Sequence, residues 1–333
     1  MLLNKRAGTT GSAERPVCRD PQRLLSAATK REIRQRLRDL FEYARLRTPP
    51  LVPAGFRNPM SQSLIGGKPR AGNAVSDPPV SDGELAAIVG ELDAYALGLL
   101  APLLLYGPRP SELGRILRAD YDESTDFLRV LSRPESGYRT KGRCDKAWPV
   151  TDTLAACLGP FLGRSSGPLL VKRKIFEGKA APTLRAATEA ELASAFQADV
   201  AETERRLGRA LSKIETDAVS KRVWAGAGAV DARCVLRELQ RGAARTGLSR
   251  MPTPKDLRHA MESHCEAARL SPGVIRFLLG HAPTRGDALP SYNHTGREML
   301  REQVAILEER RRVLVEALLT RTRDLCSRGG SAT

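Results

Sequence analysis

The chain has 333 residues, 41% of them hydrophobic, enough for one large domain or two ordinary ones with a proper core. This composition excludes wholesale disorder. The net charge of +16 favours a polyanionic partner, most commonly nucleic acid, although a basic protein without such a partner can have the same balance. Aromatic residues make up only 5%, which disfavours a stacking platform for single strands.

The six cysteines are widely spaced and include no CxxC pair. This spacing argues against a zinc site and a disulfide framework, and it fits a reducing compartment. No apolar run follows Lys5 and Arg6, and the uncharged stretch 94–106 is too short to span a bilayer. The sequence therefore predicts a soluble cytoplasmic protein with no membrane partner, associated with the nucleoid if its partner is DNA.

The N-terminal region is predicted to contain little structure besides one helix. Residues 1–20 are polar and aperiodic, which predicts a flexible tail. Apolar residues then repeat at helical spacing up to Thr48, so we expect a helical region within 21–60. Residues 61–80 are rich in Pro, Gly, Ser and Asn and are predicted to be a linker. The residues that carry the helical repeat are Ile33, Leu37, Leu40, Phe41 and Ala44.

The compact domain is predicted to span 81–325. Ser81 and Glu84 form a capping-box pattern at its start, and apolar residues fill a second helix at 94–105. A third helix is expected at 111–117. Strands are predicted at 127–131, 138–141 and 147–150, the last two joined by a turn. We therefore expect a mainly α protein with a small antiparallel β-sheet, an α+β fold.

The second half of the domain returns to helical periodicity. A helix from Thr188 to Ala218 begins with a capping box and is interpreted as an insertion at about 186–220. Further helices are expected near 234–244, after Thr253-Pro254, and from Ser271-Pro272 to Gly280. A long amphipathic helix is predicted over 299–319. Its apolar stripe consists of Leu300, Val304, Leu307, Leu314 and Leu318.

Three short motifs lie in a fixed order within this domain. They read Tyr106-Gly107-Pro108-Arg109-Pro110-Ser111-Glu112-Leu113, then Asp256-Leu257-Arg258-His259, then Leu278-Leu279-Gly280-His281, which Tyr292 follows. In this order they resemble the motifs of the tyrosine recombinases, the phage integrase family. Lys141 stands where the family has the lysine of its β-hairpin.

The resemblance covers about residues 80–320. It implies the catalytic-domain fold of these DNA breaking-rejoining enzymes for residues 81–325. The helix at 33–46 is similar to the last helix of the family's N-terminal core-binding domain, which implies that 21–60 is a shortened remnant of that domain.

The resemblance also implies a role for each motif residue. Arg109 and Arg258 would clamp the phosphate, because a guanidinium is planar and permanently charged. Lys141 would be the general acid, with Lys146 as the rival for that role. His281 would hydrogen-bond the scissile phosphate, or it only caps a helix. Tyr292, otherwise an ordinary packing residue, would be the nucleophile that forms a 3′-phosphotyrosine without ATP, metal or other cofactor.

Two features depart from the family pattern. Lys255 stands where the family usually has a histidine; a lysine can contact phosphate but is a poor base at neutral pH. His281 and Tyr292 are eleven residues apart, which is longer than usual for the family. Lys255 is kept among the candidate catalytic residues. Glu112 is expected to orient an arginine or the hairpin by ion pairing, and His259 and His264 are expected to be structural.

Three functions therefore compete. The first is a site-specific recombinase or integrase that acts on double-stranded DNA as a homotetramer. Its C-terminal helix would dock onto a neighbouring subunit or fold back on its own core. The second is a degenerate, catalytically impaired integrase that only binds DNA. The third is a monomeric enzyme like a type IB topoisomerase, which uses the same residues to relax supercoils.

Overall fold

The structure is a computed structural model that describes residues 27–60, 80–140, 145–185, 188–280 and 294–329. The chain consists of two compact units, Met1–Pro78 and Pro79–Thr333. Within the described ranges, every helix is too short or too polar to cross a membrane.

The described part of the first unit is one helix and the segment that follows it. Helix α1 spans Ala27–Leu46, which confirms the predicted helix. The ring of Phe41 contacts that of Phe56 with centroids 5.7 Å apart. The Asn58 amide donates to the backbone carbonyl of Arg38 (3.0 Å) and to the Glu42 carboxylate (3.1 Å). These contacts fold the following segment back along the helix.

The second unit is built around one buried helix. Helix α2, Asp82–Gly90, begins with the predicted capping box: the Ser81 hydroxyl accepts from the backbone N–H of Glu84, and the Glu84 carboxylate accepts from that of Ser81. Helix α3, Ala94–Tyr106, is buried from Tyr95 to its last residue. A helix that is apolar on all sides belongs in the centre of a core, where α3 lies.

A three-stranded antiparallel sheet packs in this otherwise helical unit. The strands are β1 (Tyr121–Asp122), β2 (Phe127–Val130) and β3 (Lys146–Pro149), in that spatial order. Leu128 of β2 pairs with Tyr121 on one side and with Trp148 on the other. The prediction of a mainly helical α+β protein with a small antiparallel sheet is confirmed.

The membership of the sheet differs from the prediction. In the described part of the predicted strand 138–141, only Tyr138 pairs, as an isolated bridge to Arg133. The reason is a 3₁₀ turn at Pro134–Ser136 followed by Gly137 at φ +72°, which reverses the chain before a ladder can form. The short strand β1 takes the third place in the sheet.

The third predicted helix is shorter than expected. Helix α4 spans only Pro110–Leu113, although the predicted inward residues Ile116 and Leu117 are indeed buried beyond it. A Cβ atom at Gly114 would lie 2.0 Å from the Val230 carbonyl oxygen. Helix α4 ends where the backbone at Gly114 packs against Val230. Helices α5 (Asp152–Leu162) and α6 (Arg173–Phe176) follow the sheet.

The predicted helix from Thr188 to Ala218 is two helices. Helix α7 spans Glu189–Leu207 with the predicted Thr188/Glu191 capping box, and helix α8 spans Lys213–Gly226. Gly208, at φ +66°, ends α7 in the left-handed conformation that favours glycine. Their apolar side chains Leu192, Phe196, Val219, Val223 and Trp224 form a second, smaller core with Leu117, Ala227 and Ala229.

Three further helices lie where they were predicted, and two of them confirm the predicted start signals at Thr253-Pro254 and Ser271-Pro272. Helices α9 (Ala232–Arg245), α10 (Pro254–Ala267) and α11 (Pro272–Leu279) begin after capping side chains, and α11 ends at Gly280 with φ +64°. The caps are Asp231, Thr253 and Ser271.

The C-terminal helix is also divided in two. Helices α12 (His294–Arg310) and α13 (Arg312–Gly329) meet at Arg311, which donates to the Leu104 carbonyl (2.6 Å) and pairs with Asp82 (2.8 Å). Helix α13 packs on α2, α3 and α5. The five leucine and valine side chains of the predicted stripe are at most 2% exposed. The stripe therefore folds back on the core of its own unit.

Candidate active site

Arg109 is placed by the junction between α3 and α4. Gly107 ends α3 in the left-handed conformation, and Arg109 is the N-cap residue of α4. The Glu112 carboxylate accepts from the backbone N–H of Arg109 (2.9 Å) and from its guanidinium (3.1 Å). Glu112 is buried, whereas the Arg109 side chain is 24% exposed. Glu112 therefore fixes the arginine while part of its side chain still faces solvent.

Lys146 is the second cation on Glu112. It lies on β3, its side chain is 1% exposed, and its ammonium donates to Glu112 over 2.6 Å. Burial lowers the pKa of Lys146, and the Glu112 carboxylate opposes that shift. A buried lysine that is paired with a buried acid is suited to stabilise the geometry of the site rather than to contact a substrate.

Arg258 brings the second motif to the first and third. It lies on α10, where its guanidinium donates to the backbone carbonyl of Gly107 (2.8 Å) and to that of Leu279. These two carbonyls end α3 and α11. Burial lowers the pKa of Arg258, and the nearby charge of Arg109 lowers it further. The two arginines therefore lie within electrostatic range of each other and of Glu112.

Two motif glycines are required by close packing at this site. A Cβ atom at Gly107 would lie 3.1 Å from the Met261 Cβ, and one at Gly280 would lie 1.7 Å from the Lys146 Cε. Both glycines also have positive φ values. The backbone at the end of α11 thus lies directly on the Lys146 side chain.

Strand β3 connects the same elements through aromatic side chains. Tyr106 stacks on Trp148 with centroids 5.8 Å apart and donates its hydroxyl to the Pro149 carbonyl (2.6 Å). The Trp148 indole N–H donates to the Leu278 carbonyl (3.2 Å). The ends of α3 and α11 are therefore fixed to the strand that carries Lys146.

The remaining predicted site residues are distributed as follows. Lys141, His281 and Tyr292 lie outside the described residues. Lys255 is exposed in the first turn of α10, one turn before Arg258.

The two histidines of α10 contact acids. His259 is exposed beside Glu262 (3.8 Å), and His264 is partly buried beside Asp82 (3.5 Å). These contacts fit the structural role that was expected for both.

The helical insertion holds the segment that leads toward residue 141, and nothing in the sequence pattern indicated this. The Ser220 hydroxyl of α8 donates to the Ser136 carbonyl (3.0 Å). A Cβ atom at Gly137 would lie 2.5 Å from the Phe196 ring of α7. Arg133 is buried between Asp120 (2.6 Å) and Glu189 at the start of α7 (3.0 Å).

Arg115 lies under the same segment. Its guanidinium is 4.8 Å from the ring centre of Trp224 on α8 and 5.4 Å from that of Tyr138. Burial lowers the pKa of Arg115 to about 10. The aromatic faces compensate in part for the water that this cation has lost.

No known family model matches the chain, and no curated protein is detectably similar to it. The resemblance to the tyrosine recombinases therefore depends on the ordered motifs alone. Contacts nevertheless join the three motifs: Arg258 of the second motif donates to the carbonyls of Gly107 in the first motif and Leu279 in the third.

Proposed function

We propose that the chain is a DNA strand-transferase of the tyrosine recombinase type, which cuts and rejoins double-stranded DNA through a 3′-phosphotyrosine. One observation carries the proposal. Arg109 and Arg258 come from motifs far apart in sequence, yet the Arg258 guanidinium donates to the carbonyl of Gly107 (2.8 Å), two residues before Arg109. Arginine pairs are suited to a phosphodiester because each guanidinium can donate to two phosphate oxygens.

The local charge balance supports phosphoryl chemistry. Arg109 and Lys146 pair with the Glu112 carboxylate, and the charges of Glu112 and Glu262 act on Arg258. The three cations exceed these two acids by one positive charge. Attack on a phosphodiester develops negative charge on the two non-bridging oxygens, and fixed cations in a partly buried site stabilise that charge effectively.

In the proposed reaction the Tyr292 oxygen forms a bond to phosphorus while the bond from phosphorus to the 5′-oxygen breaks. The phenol proton leaves to solvent, and Lys141 gives a proton to the departing 5′-oxygen. The phosphotyrosine keeps the energy of the broken bond, so rejoining is the same reaction in reverse. The chain's own residues suffice for both steps, which is why neither ATP nor metal enters the proposal.

The test is capture of the covalent intermediate. The protein would be incubated with nicked suicide duplexes made from the DNA that flanks its gene, because loss of the short cleaved strand prevents rejoining. We expect a protein–DNA adduct that Tyr292→Phe abolishes and that Arg109→Ala and Arg258→Ala each reduce by a factor of about 100 or more. If Arg109→Ala left cleavage unchanged, the assignment of the clamp would be wrong.

One feature favours the DNA-binding alternative. Lys255 stands in place of the family's histidine and is exposed one turn from Arg258. Binding to a verified site without any adduct would support this alternative and reject the enzyme. Relaxation of plasmids that lack a target site would instead indicate an enzyme like a type IB topoisomerase.

The tetramer remains part of the proposal, with one change to its contacts. The apolar stripe of the C-terminal helices is buried in its own unit. Contacts to a neighbouring subunit would therefore use the outer faces of these helices. Ile306 and Val313, which are 49% and 57% exposed, are the apolar side chains available there.

A further inference from the structure

A second concave site lies at the far end of α3 from Arg109. It is a pocket of about 610 Å³ bounded by α6, α9, the end of α8 and residues 180–183, and Tyr95 at the start of α3 lines it. Helix α3 has 13 residues, so the pocket and the candidate active site are separated by roughly 18 Å of helix. Its volume is in the range of pockets that hold small organic ligands.

The lining of this pocket is strongly basic. It contains six lysine and arginine side chains and a single carboxylate, that of Glu238. Glu238 is buried and pairs with Arg173 (2.6 Å) and Arg241 (2.9 Å). Arg222 pairs with Asp199 (2.5 Å). Internal acids thus accompany three of the six cations.

The other three cations, Lys172, Lys174 and Arg237, have no acid within ion-pairing distance among the described residues. Lys172 is partly buried, its ammonium donates to the Ala225 carbonyl (2.7 Å), and the charge of Asp231 acts on it from beyond ion-pairing distance. Lys174 and Arg237 are exposed at the rim. A cation that is partly removed from water is stabilised by an anion, so an anionic group at this position would be favourable.

The rest of the lining is apolar. Ile175, Ala181, Pro182 and Ala225 provide walls without charge. Their place in the pocket is fixed, because the Leu184 N–H donates to the Gly226 carbonyl (3.0 Å) and a Cβ atom at Gly228 would lie 2.8 Å from the Ile175 side chain. A ligand that uses both kinds of surface has an anionic head and an apolar body.

We propose that this pocket binds a small phosphorylated organic molecule. The phosphate would contact Lys172, Lys174 and Arg237, and the organic part would lie on the Ile175 and Pro182 side. The concave shape favours a small molecule over the broad backbone of a duplex. The site is separate from the candidate active site and does not depend on the function proposed for it.

The test is calorimetric titration of the full chain with ATP, pyrophosphate and adenosine, which represent the whole ligand, the head and the body. We expect ATP to bind more tightly than either part. Lys174→Ala and Arg237→Ala should each weaken ATP binding about tenfold, as expected for loss of one charge-assisted hydrogen bond. Both side chains are exposed, so the variants are expected to fold. Lys213→Ala, at the exposed opposite end of α8, is the matched control and should bind like the parent.

Three outcomes would overturn the proposal. The first is absence of saturable binding by both ATP and pyrophosphate at millimolar concentration. The second is equal ATP affinity in the parent and the two rim variants, which would place ATP elsewhere on this basic chain. The third is displacement of ATP by a short duplex whose own binding the same variants weaken, because the pocket would then be part of a DNA-contacting surface.

Discussion

At the scale of single residues, the buried carboxylate of Glu112 determines the geometry of the candidate site. It accepts from the backbone and guanidinium of Arg109 and from Lys146, and its charge also acts on Arg258. A buried charge is tolerated only when it is paired and hydrogen-bonded, so each cation depends on this acid and it depends on them. Substitutions here are expected to affect stability as well as chemistry.

Lys146→Met should lower the free energy of unfolding by about 3 kcal/mol, because it removes one partner of a buried ion pair. The buried Glu112 carboxylate would then pair with Arg109 and no longer with Lys146. Lys255→Met is the matched control: its side chain is exposed, and the expected change is within about 0.5 kcal/mol. Chemical denaturation of both variants measures the difference. Equal stability of the two would show that the Lys146 pair is not a structural element.

His264 gives the second unit a pH dependence with a definite sign. Burial and the charge of Arg311 lower its pKa below the usual 6.5, and Asp82 opposes that shift. As the pH falls through 6.5, His264 takes up a proton more readily in the unfolded chain than in the folded chain. The free energy of unfolding should therefore fall as the pH falls. His264→Gln should reduce this loss between about pH 7 and pH 5, as measured by denaturation at each pH.

The control for the His264→Gln substitution is His259→Gln, because His259 is an exposed histidine on the same helix. A pH dependence of His264→Gln that matches the parent's would contradict the role given to His264.

The motif arginines could be predicted from the sequence, whereas their shared support could not. Arg109 and Arg258 belong to short local patterns. The ion pair between Lys146 and Glu112 joins residues 34 positions apart, and no local pattern indicates which lysine of the hairpin region turns inward. The close fit of Gly280 on Lys146 is equally non-local. Such contacts depend on tertiary packing, which periodicity does not encode.

At the scale of elements, helices α7 and α8 hold the segment that leads toward residue 141. Phe196 and Ser220 enclose the Gly137 turn, and Arg133 is paired with the start of α7. Thr140, the last described residue before position 141, is 2% exposed. The insertion therefore fixes the approach to residue 141.

If Lys141 is the general acid, loosening this support should impair protonation of the leaving 5′-oxygen. Ser220→Ala removes the hydrogen bond to Ser136, worth about 1 kcal/mol, and should slow cleavage of ordinary DNA. Cleavage of DNA with a 5′-bridging sulfur should be unchanged, because a thiolate leaves without a proton. Ser194→Ala, exposed on α7, is the matched control. Equal slowing on both substrates would contradict this positioning role.

Helix starts could be predicted with accuracy, whereas helix interruptions could not. The caps at Ser81, Thr188, Thr253 and Ser271 are side chains that satisfy backbone N–H groups locally, so a short pattern suffices to find them. The break at Arg311 exists because its guanidinium reaches Asp82 and the Leu104 carbonyl, which are distant in sequence. The stripe on either side of it continues without a visible gap.

At the scale of the whole molecule, the net charge of +16 should make DNA binding strongly salt-dependent. Each phosphate contact contributes about 0.9 to the slope of log affinity against log salt. Arg109→Ala and Arg258→Ala should each lower that slope by about one contact. Lys146→Met, which removes a buried cation, should leave the slope unchanged. Fluorescence anisotropy with a labelled duplex between low and moderate salt measures it.

If Lys146→Met altered the salt slope as strongly as the two arginine variants, the slope would not report direct phosphate contacts at this site. An unchanged slope in both arginine variants would place the DNA away from the clamp.

The packing of α13 on α2, α3 and α5 has a consequence for synthesis of the chain. Leu314 and Leu318 are fully buried, and the α12–α13 junction at Arg311 closes on Asp82, the first residue of the unit's first helix. A nascent chain lacks this side of its core until residues 312–329 have left the ribosome. The unit must therefore complete its folding late, and the apolar faces of α2 and α5 are surfaces that a chaperone could cover in the meantime.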